Sequence, residues 1–489
     1  MNAAPVHQAG TSALLTDLYQ LTMAYGYWKA GKADQQAVFH LFFRKNPFQG
    51  GFTLAAGLTD AIAYLRGFRF EQSELEYLAT LNGRDSRPLF EAGFLDYLRE
   101  LQFKCDVDAM PEGTVAFPQQ PLLRVQGSIL EAQLVETALL NIINFQSLIA
   151  TKAARVCLAA QGDPVVEFGL RRAQGVNGAI SASRAAFIGG CTGTSNVLAG
   201  KLFGIPVKGT HAHSWVMSFD SELDAFNSYA DAMPNNCILL VDTYDTLDGV
   251  WHAVEVGQRL RQQGHELAGI RLDSGDLAYL SIEARKILDA AGFRDALIVA
   301  SNDLDEHIIA SLKQQGAQIN VWGVGTKLVT AYDQPALGGV YKLTAIRSPD
   351  GQWEHKVKLS EQAAKVTNPG VLQVRRFRDA NGFIGDALYD TSLPLQGLMA
   401  IVDPLDATRR KHFPEEAQSE DLLVPVLRRG ELVSHLPHLE DIRTRAQQQL
   451  AMLNPAIKRF DNPHQYPAGL ELGLHDLKVQ LILRARGET

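Results

Sequence analysis

Between about residue 164 and residue 345, short apolar runs recur along the chain, and each of them ends in a polar or charged cluster. Such runs predict buried β-strands, because a few consecutive apolar residues followed by turn-forming side chains are typical of a covered sheet. Amphipathic stretches that predict helices separate them. With their polar ends, the runs are PVVEFGLRR, GIPVKGTHAHS, CILLVDTYD, LAGIRLDSGD, ALIVASNDLD and INVWGVGT.

This alternation predicts an α/β barrel over residues 155–345. Asp242, Asp273 and Asp303 follow one another at intervals of about 30 residues, which suits one strand and one helix. Polar side chains at the carboxyl ends of parallel strands build the active site of such a barrel. An open doubly wound sheet is the alternative, and it binds ligands at the same strand ends.

The flanking segments predict two further parts. In residues 1–154, a helix rich in aromatic side chains is expected over 12–30, and residues 50–150 mix helical and extended patterns. Residues 346–489 are polar and irregular as far as FRDANGF, then strand-like in DLLVPVLRRGELV and helical in HLEDIRTRAQQQLAMLN. We expect this last part to pack back on the N-terminal domain or the barrel.

Composition narrows the class of protein. The 489 residues are 46% apolar and 20% charged, as in an ordinary globular protein. The net charge of −8 argues against nucleic acid or an anionic membrane as partner, although a local cationic pocket could still bind a small anion. Four widely spaced cysteines without a Cys-x-x-Cys pair, and no signal peptide or long apolar run, favour reduced thiols and a cytoplasmic location.

The segment RLDSGDL carries the densest candidate chemistry. Arg271 could face a phosphate, while Asp273 and Asp276 could hold sugar hydroxyls or Mg²⁺. Asp-Ser-Gly-Asp is also ordinary turn chemistry. The segment gains significance because other polar strand ends accompany it.

Two histidines alternate in GTHAHSWV. In an extended strand His211 and His213 would lie on one side, as in a metal pair, but no third ligand follows at metal spacing. The sharper hypothesis is that His213 accepts a phosphoryl group or acts as a nucleophile. Asp242, at the end of another run, is predicted to orient this neighbouring histidine.

Three other strand ends offer contacts for an anionic ligand. Gly323, Gly325 and Thr326 stand between a strand and a predicted helix, where backbone N–H groups can approach a phosphate. Of the adjacent Arg171 and Arg172 at the EFGLRR end, at most one is expected to touch ligand. The Gly/Thr/Ser-rich loop of residues 189–200 could contact a small substrate without adding charge.

Together these segments resemble the nicotinate phosphoribosyltransferase family. The matching motifs, in the family's order, are TDLYQLTMAYGYW, EFGLRRAQG, GTSNVLAGKLFGIPVKGTHAHSW, LLVDTYDT, RLDSGDL, SNDLDE, GVGTKL, GGVYKL and KVTNPG. The resemblance implies synthesis of nicotinate mononucleotide from nicotinate and phosphoribosyl pyrophosphate, coupled to ATP hydrolysis, in NAD salvage. It also implies an irregular α/β barrel joined to a quinolinate-phosphoribosyltransferase-like α/β sandwich, in a homodimer whose active sites lie at the interface.

The resemblance also implies a role for each candidate residue. ATP would transiently phosphorylate His213, which Asp242 would hold. The other implied contacts are Arg171 and Arg271 with substrate and phosphate groups, Asp273 with the ribose and Mg²⁺, Asn302 and Asp303 with the ribosyl moiety, Gly323, Gly325 and Thr326 with the 5′-phosphate, and Asp17 and Tyr19 of the second subunit with the pyridine ring.

One position bears on which pyridine is used. Related nicotinamide enzymes have an aspartate in the loop that matches GTSN, whereas this chain has Ser195. A hydroxyl and nearby backbone N–H groups can donate to the carboxylate of nicotinate, which an aspartate would repel. The alternatives are a nicotinamide phosphoribosyltransferase and an inactive relative that only binds nucleotides.

Overall fold

The computed structural model describes residues 12–362, 365–395 and 399–488, and the chain divides into two units. One unit runs from Ile149 to Pro335. The other combines the described residues up to Leu148 with those from Ala336 onward.

The described chain contains the following elements. The helices are α1 (Leu18–Lys29), α2 (Leu58–Gly67), α3 (Gln72–Ala79), α4 (Ala92–Glu100), α5 (Ile129–Leu134), α6 (Glu136–Ala159), α7 (Val176–Ile188), α8 (Val197–Phe203), α9 (His213–Val216), α10 (Glu222–Ala232), α11 (Thr246–Gln262), α12 (Leu277–Ala290), α13 (Glu306–Gln314), α14 (Thr326–Val329), α15 (Leu439–Ala451) and α16 (Leu472–Arg486). The strands are β1 (Gln36–Phe43), β2 (Thr53–Leu54), β3 (Asp106–Ala109), β4 (Val115–Ala116), β5 (Pro121–Ser128), β6 (Val165–Glu167), β7 (Gly193–Thr194), β8 (Ile238–Leu240), β9 (Gly269–Leu272), β10 (Leu297–Ala300), β11 (Val321–Val324), β12 (Gly339–Arg347), β13 (Trp353–His355), β14 (Leu372–Asp379), β15 (Gly382–Asp390), β16 (Ala400–Val402), β17 (Arg410–His412), β18 (Gln418–Asp421), β19 (Val424–Arg428), β20 (Glu431–Leu432) and β21 (Ala468–Glu471).

A parallel sheet forms the centre of the unit that begins at Ile149. Its six described strands follow the order β7-β6-β11-β10-β9-β8, and every neighbouring pair is parallel. Five of the predicted apolar runs become strands of this sheet, and the amphipathic segments between them become helices. The carboxyl ends of the strands therefore lie along one edge, as the sequence predicted.

Among the described strands, hydrogen-bonded pairing leaves this sheet open between β7 and β8. The sixth predicted run, GIPVKGTHAHS, supplies only an isolated parallel bridge from Val207 to Thr194. Beyond that bridge, the backbone N–H of Leu240 donates to Nε2 of His211 at 3.1 Å. An imidazole thus takes a place that a strand carbonyl would occupy in a closed barrel.

Several acidic residues at the strand ends are helix caps. Asp245 accepts from the backbone N–H of Leu247, Asp276 from that of Tyr279, and Asp305 from that of Ile308. Side-chain caps satisfy N–H groups that the first helical turn cannot pair. The cap accounts for Asp276 without a ligand, so its predicted role as a sugar or metal ligand stays a prediction.

The other unit contains two larger antiparallel or mixed sheets. One has the order β13-β12-β1-β5-β3-β19-β20, and the other has the order β17-β16-β21-β15-β14-β18. Strand β1 is buried at every position but the first, because a continuous apolar run suits a strand covered on both faces.

One part of this unit departs from the prediction. The segment around FRDANGF, predicted to be irregular, forms the antiparallel hairpin of β14 and β15. Its two turn residues are Ala380 and Asn381, and Gly382, the first residue of β15, has a φ of +123°. Asn-Gly between two strand-forming runs is a strong hairpin signal, which the polar residues on either side obscured.

Three further findings concern the described residues. Helix α1 begins only at Leu18, later than predicted, and no described helix has the length and apolarity that crossing a bilayer would require. All four cysteines carry free thiols, and three of them are buried.

Candidate active site

The environment of His213 is formed by the ends of two neighbouring strands. His213 is the first residue of the short helix α9. Its Nδ1 lies 3.1 Å from Oγ1 of Thr243, and its Nε2 lies 3.8 Å from Oδ2 of Asp273. The side chain of His213 is 39% exposed, so a substrate could reach it. Sequence reasoning missed Thr243, which directly follows the predicted Asp242.

Asp242 supports Asp273 rather than His213. Its Oδ2 accepts from the backbone N–H of Asp273 at 2.9 Å and from Oγ of Ser274 at 2.6 Å. The direct contact predicted between Asp242 and His213 is corrected, because β8 and β9 are adjacent and the carboxylate reaches the neighbouring strand end. Oδ1 of Asp242 is buried and has no hydrogen-bond partner among the described residues.

Arg271 and Asp273 extend this network to further segments. A terminal nitrogen of Arg271 donates to Oγ1 of Thr210, and Oγ of Ser301 donates to Asp273. Burial lowers the pKa of Arg271, although a guanidinium stays charged in proteins. Its Nε is buried without a hydrogen-bond partner in the part of the chain that the structure describes. Arg271 is thus a half-buried cation with donor capacity to spare.

A cavity of about 250 Å³ lies beside Arg271. Its two arginines and its aromatic ring suit a planar aromatic anion, since a guanidinium pairs with a carboxylate and a ring face stacks on another ring. Of the lining residues, the sequence pointed to Arg171, Ser195 and Arg271 as ligand contacts. It did not point to Phe168, because an apolar residue near the end of a predicted strand carries no sign of a ligand. Lining residues include Phe168, Arg171, Ser195, Thr210, His211 and Arg271.

Ser195 has only part of the donor capacity that the sequence suggested. Its backbone N–H donates to the carbonyl of Glu167 at 2.9 Å. The next backbone N–H, that of Asn196, donates to Oγ1 of Thr194 at 2.9 Å. Both amides are therefore used within the fold, and the hydroxyl of Ser195 is the group left to face a ligand.

The alternation that would have put His211 and His213 on one side, as in a metal pair, is absent. His211 packs edge-on against Tyr229, with ring centroids 4.7 Å apart, whereas His213 faces Asp273. The strand alternation behind that hypothesis fails because α9 begins at His213. Among the described residues, no cluster of three or more His, Cys, Asp or Glu side chains is suited to hold a metal ion.

Gly323, within β11, and Gly325, directly after it, both lie close to Phe168. A Cβ on Gly323 would lie 2.7 Å from the ring of Phe168, and one on Gly325 would lie 3.2 Å from the Phe168 carbonyl oxygen. Thr326 begins the short helix α14. These contacts account for both glycines without a phosphate, so the predicted phosphate site stays a prediction.

Asn302 and Asp303 adopt strained backbone conformations at the end of β10. Their φ angles are +81° and +32°, in the left-handed region that non-glycine residues rarely occupy. Both residues are exposed. Strain of this kind clusters at ligand-binding sites, which supports the predicted contact with a ligand.

Asp17 and Tyr19 belong to the other unit. Asp17 precedes α1, and its Oδ2 accepts from Oγ1 of Thr137 at 2.8 Å. Tyr19 is 50% exposed, and its neighbours Leu18 and Met23 on the same helix are exposed as well. An exposed apolar face of this kind is compatible with a protein partner.

Comparison with known proteins gives a consistent result. Family models match residues 14–144 (nicotinate phosphoribosyltransferase N-terminal domain), 164–367 (nicotinate phosphoribosyltransferase family) and 373–478 (nicotinate phosphoribosyltransferase C-terminal domain). The chain is 45% identical over 475 residues to nicotinate phosphoribosyltransferase of Bacillus subtilis, covering 96% of this chain and 95% of that protein. It is 38% identical over 532 residues to the human protein of that name, covering 97% of both.

Solved structures agree with the sequence comparison. The crystal structure of human nicotinic acid phosphoribosyltransferase superposes with a TM-score of 0.83 at 36% identity, covering 95% of this chain and 99% of that one. A nicotinate-nucleotide pyrophosphorylase from Pyrococcus furiosus, at 22% identity and a TM-score of 0.68, covers 92% of this chain and 97% of its own. The second likeness concerns the fold alone.

Proposed function

The chain belongs to the nicotinate phosphoribosyltransferase family, and we propose that its strand-end residues carry out that family's reaction, with nicotinate in the 250 Å³ cavity. The enzyme transfers a phosphoribosyl group from phosphoribosyl pyrophosphate to nicotinate, which yields nicotinate mononucleotide and pyrophosphate for NAD synthesis. The observation that carries the assignment of the cavity is its lining, which places Arg171, Arg271 and Ser195 around the ring of Phe168.

The chemistry that this site must assist is a displacement at C1 of the ribose. The pyridine nitrogen forms a bond to C1 with its own lone pair, and the C1–O bond to pyrophosphate breaks, so no general base is needed. Negative charge grows on the leaving group as positive charge grows on the ribose. Arg271, a half-buried cation with an unused donor, would stabilise an anionic group, and a second arginine, Arg171, would orient the carboxylate of nicotinate.

The residues at the ends of β8 and β9 fit Mg²⁺. Asp242 has a buried carboxylate oxygen with no hydrogen-bond partner in the described residues, and Asp273 stands beside it. Mg²⁺ often takes only one or two carboxylates and completes its shell with phosphate oxygens and water, so a larger acidic cluster is not required. Bound there, the ion would neutralise pyrophosphate charge.

ATP coupling is also part of the proposal. Nδ1 of His213 is held by Thr243, whereas Nε2 points towards Asp273 at 3.8 Å. A phosphoryl group accepted by this exposed imidazole would lie next to the carboxylates that we assign to Mg²⁺. Phosphorylation of His213 would thereby tighten the phosphoribosyl pyrophosphate site.

The remaining ligand contacts follow the family's pattern. Asn302 and Asp303, with their strained backbone, would contact the ribosyl moiety, and Gly323, Gly325 and Thr326 would hold the 5′-phosphate. We further propose an irregular barrel, a cytoplasmic location and a homodimer. Its second subunit would supply Asp17 and the exposed ring of Tyr19.

One assay tests these assignments together. Purified protein is incubated with phosphoribosyl pyrophosphate, Mg²⁺ and either nicotinate or nicotinamide, with and without ATP, and mononucleotide, pyrophosphate and ADP are measured. We expect nicotinate mononucleotide from nicotinate only, with ATP stimulating the rate. Mononucleotide from nicotinamide would indicate the amide-specific alternative, and no product from either pyridine would indicate an inactive relative.

His213→Ala tests the coupling. We expect this variant to lose ATP hydrolysis but to keep slow, ATP-independent synthesis at high substrate concentration. Loss of both activities with an intact fold would mean that His213 acts directly in the transfer.

A further inference from the structure

Glu167 is a buried carboxylate at the end of β6 that the chemistry above does not use. It is 1% exposed. Its Oε1 accepts from the backbone N–H of Gly169, and its Oε2 accepts from Oγ of Ser183 at 2.8 Å and from Oγ1 of Thr194 at 2.6 Å. The three donors are neutral groups, and an ionised carboxylate, which only accepts hydrogen bonds, matches all of them.

Two of these donors belong to two walls of the proposed nicotinate cavity, the segments at the ends of the adjacent strands β6 and β7. Gly169 lies in the turn that carries Phe168 and Arg171, and Thr194 directly precedes Ser195. The carbonyl of Glu167 also accepts from the backbone N–H of Ser195. One residue therefore ties the wall with the aromatic ring and the arginine to the wall with the hydroxyl.

We propose that Glu167 is a positioning residue that sets the separation of these two walls and thereby the selectivity for nicotinate. The inference rests on the proposed place of nicotinate in the cavity. Glu167 does not line the cavity, so it acts through Phe168, Arg171 and Ser195 rather than on the substrate. Phosphoribosyl pyrophosphate, which we place at the ends of β8 to β11, should be affected much less.

Leucine and glutamine at position 167 differ in how many of these hydrogen bonds they can replace. Leucine at position 167 removes the acceptor that the three donors share, and of the three the Ser183 hydroxyl can turn to the Ala179 carbonyl at 3.0 Å. Glutamine keeps one acceptor for the N–H of Gly169, and its NH₂ can donate to the hydroxyl of Ser183 or Thr194 once that hydroxyl turns. A conservative rescue by glutamine is therefore expected, because geometry is largely restored although the charge is gone.

The test is steady-state kinetics of the full chain with Glu167→Leu and Glu167→Gln. Displacement of a binding group by about 1 Å can cost about 100-fold in rate. We expect Glu167→Leu to raise the KM for nicotinate by about that factor, with the KM for phosphoribosyl pyrophosphate changed by less than about threefold, and to lower the preference for nicotinate over nicotinamide. Glu167→Gln should recover at least about tenfold of the loss.

Ser281→Ala is the matched control. Ser281 is fully buried in the same unit, and its hydroxyl accepts from the backbone N–H of Gln318 at 3.0 Å, away from the cavity. Ser281→Ala should lower the stability of the fold without raising the KM for nicotinate relative to the KM for phosphoribosyl pyrophosphate. An equal rise in both KM values for Glu167→Leu, or the same separation in Ser281→Ala, would overturn the proposal.

A second variant and a parallel wild-type assay cover the cases in which Glu167→Leu does not fold or the proposed function is wrong. If Glu167→Leu does not fold, Thr194→Val removes one donor while preserving shape, and an unchanged KM for nicotinate in that variant overturns the proposal. Wild-type protein is assayed in parallel. Failure of the wild type to make nicotinate mononucleotide would refute the proposed function. Normal wild-type turnover, together with equal changes of both KM values in the Glu167 variants, would refute only the role of Glu167.

Discussion

Acidification should weaken the unit that contains the candidate site, and His211 is the group responsible. The ring is 8% exposed, packs against Tyr229, and accepts the backbone N–H of Leu240 at Nε2. That hydrogen bond requires neutral imidazole. Burial, helped by the nearby Arg271 and His213 and opposed by a hydrogen bond to the Ala212 carbonyl, lowers the pKa of His211 to about 4.

The sign and size of the effect follow from linkage. Because the pKa of His211 is lower in the folded chain than the unperturbed value of 6.5, the unfolded chain binds more protons between those two pH values. The stability that neutral His211 confers is therefore complete above about pH 6.5 and is lost as the pH falls towards 4. A difference of this size corresponds to at most about 3 kcal/mol, of which about 2 kcal/mol is lost by pH 5.

Hydrogen exchange of the Leu240 amide measures this directly, because that amide donates to His211. The exchange free energy is determined at pH 7.5 and pH 5, after correction for intrinsic exchange, in wild type, His211→Gln and His211→Leu. Glutamine can offer an acceptor that does not titrate, and leucine offers none. We expect wild type to lose about 2 kcal/mol more than either variant over this interval, and leucine to be the weaker variant at both pH values.

Other titrating groups do not disturb the comparison. His40, whose pKa burial lowers to about 3, belongs to the other unit and is present in all three proteins. Carboxylates common to the three proteins likewise cancel in the difference between wild type and variant. An equal pH dependence in wild type and His211→Gln would refute the argument, since it would mean that His211 does not titrate between pH 7.5 and pH 5.

Three further predictions concern specificity and stability. Ser195→Asp should lower the nicotinate-to-nicotinamide ratio of kcat/KM at least about tenfold, or about 1.4 kcal/mol, and an unchanged ratio would contradict our account of selectivity. Gly323→Ala should push the ring of Phe168, 2.7 Å from the added Cβ, towards the cavity and raise the KM for nicotinate about tenfold. An unchanged KM would mean that nicotinate binds outside this cavity. Asp386→Asn should cost about 3–5 kcal/mol in urea unfolding, because it weakens the fully buried 2.6 Å ion pair with Arg376; a loss below about 1 kcal/mol would show that the pair is dispensable.

The sequence predicted those parts of the site that depend on local pattern. An apolar run followed by a polar cluster is enough to place a strand and its end, and five such runs form β6 and β8 to β11. The hairpin signal at Asn381 and Gly382 was equally local, and it was missed only because charged neighbours suggested a loop.

Partners across strands could not be predicted in the same way. Which carboxylate faces His213 depends on which strand end lies beside it, and strand order is not written in any single segment. The neighbours β8 and β9 bring Asp242 onto the backbone of Asp273, so the carboxylate expected at the imidazole supports the one that is there. Thr243 was overlooked because a hydroxyl next to an acid carries no pattern until its partner is known.

Glu167 shows the same limit more sharply. In the sequence it is one acid between apolar residues, which predicts either a solvated strand end or an error in the strand assignment. Its meaning depends on Ser183 and Thr194, which lie 16 and 27 residues further along the chain, and a buried carboxylate is tolerable only when such donors surround it. Folding must therefore bring those segments together before that charge can be buried. The residues that set the shape of the cavity are for this reason less visible in the sequence than the residues that touch its ligand.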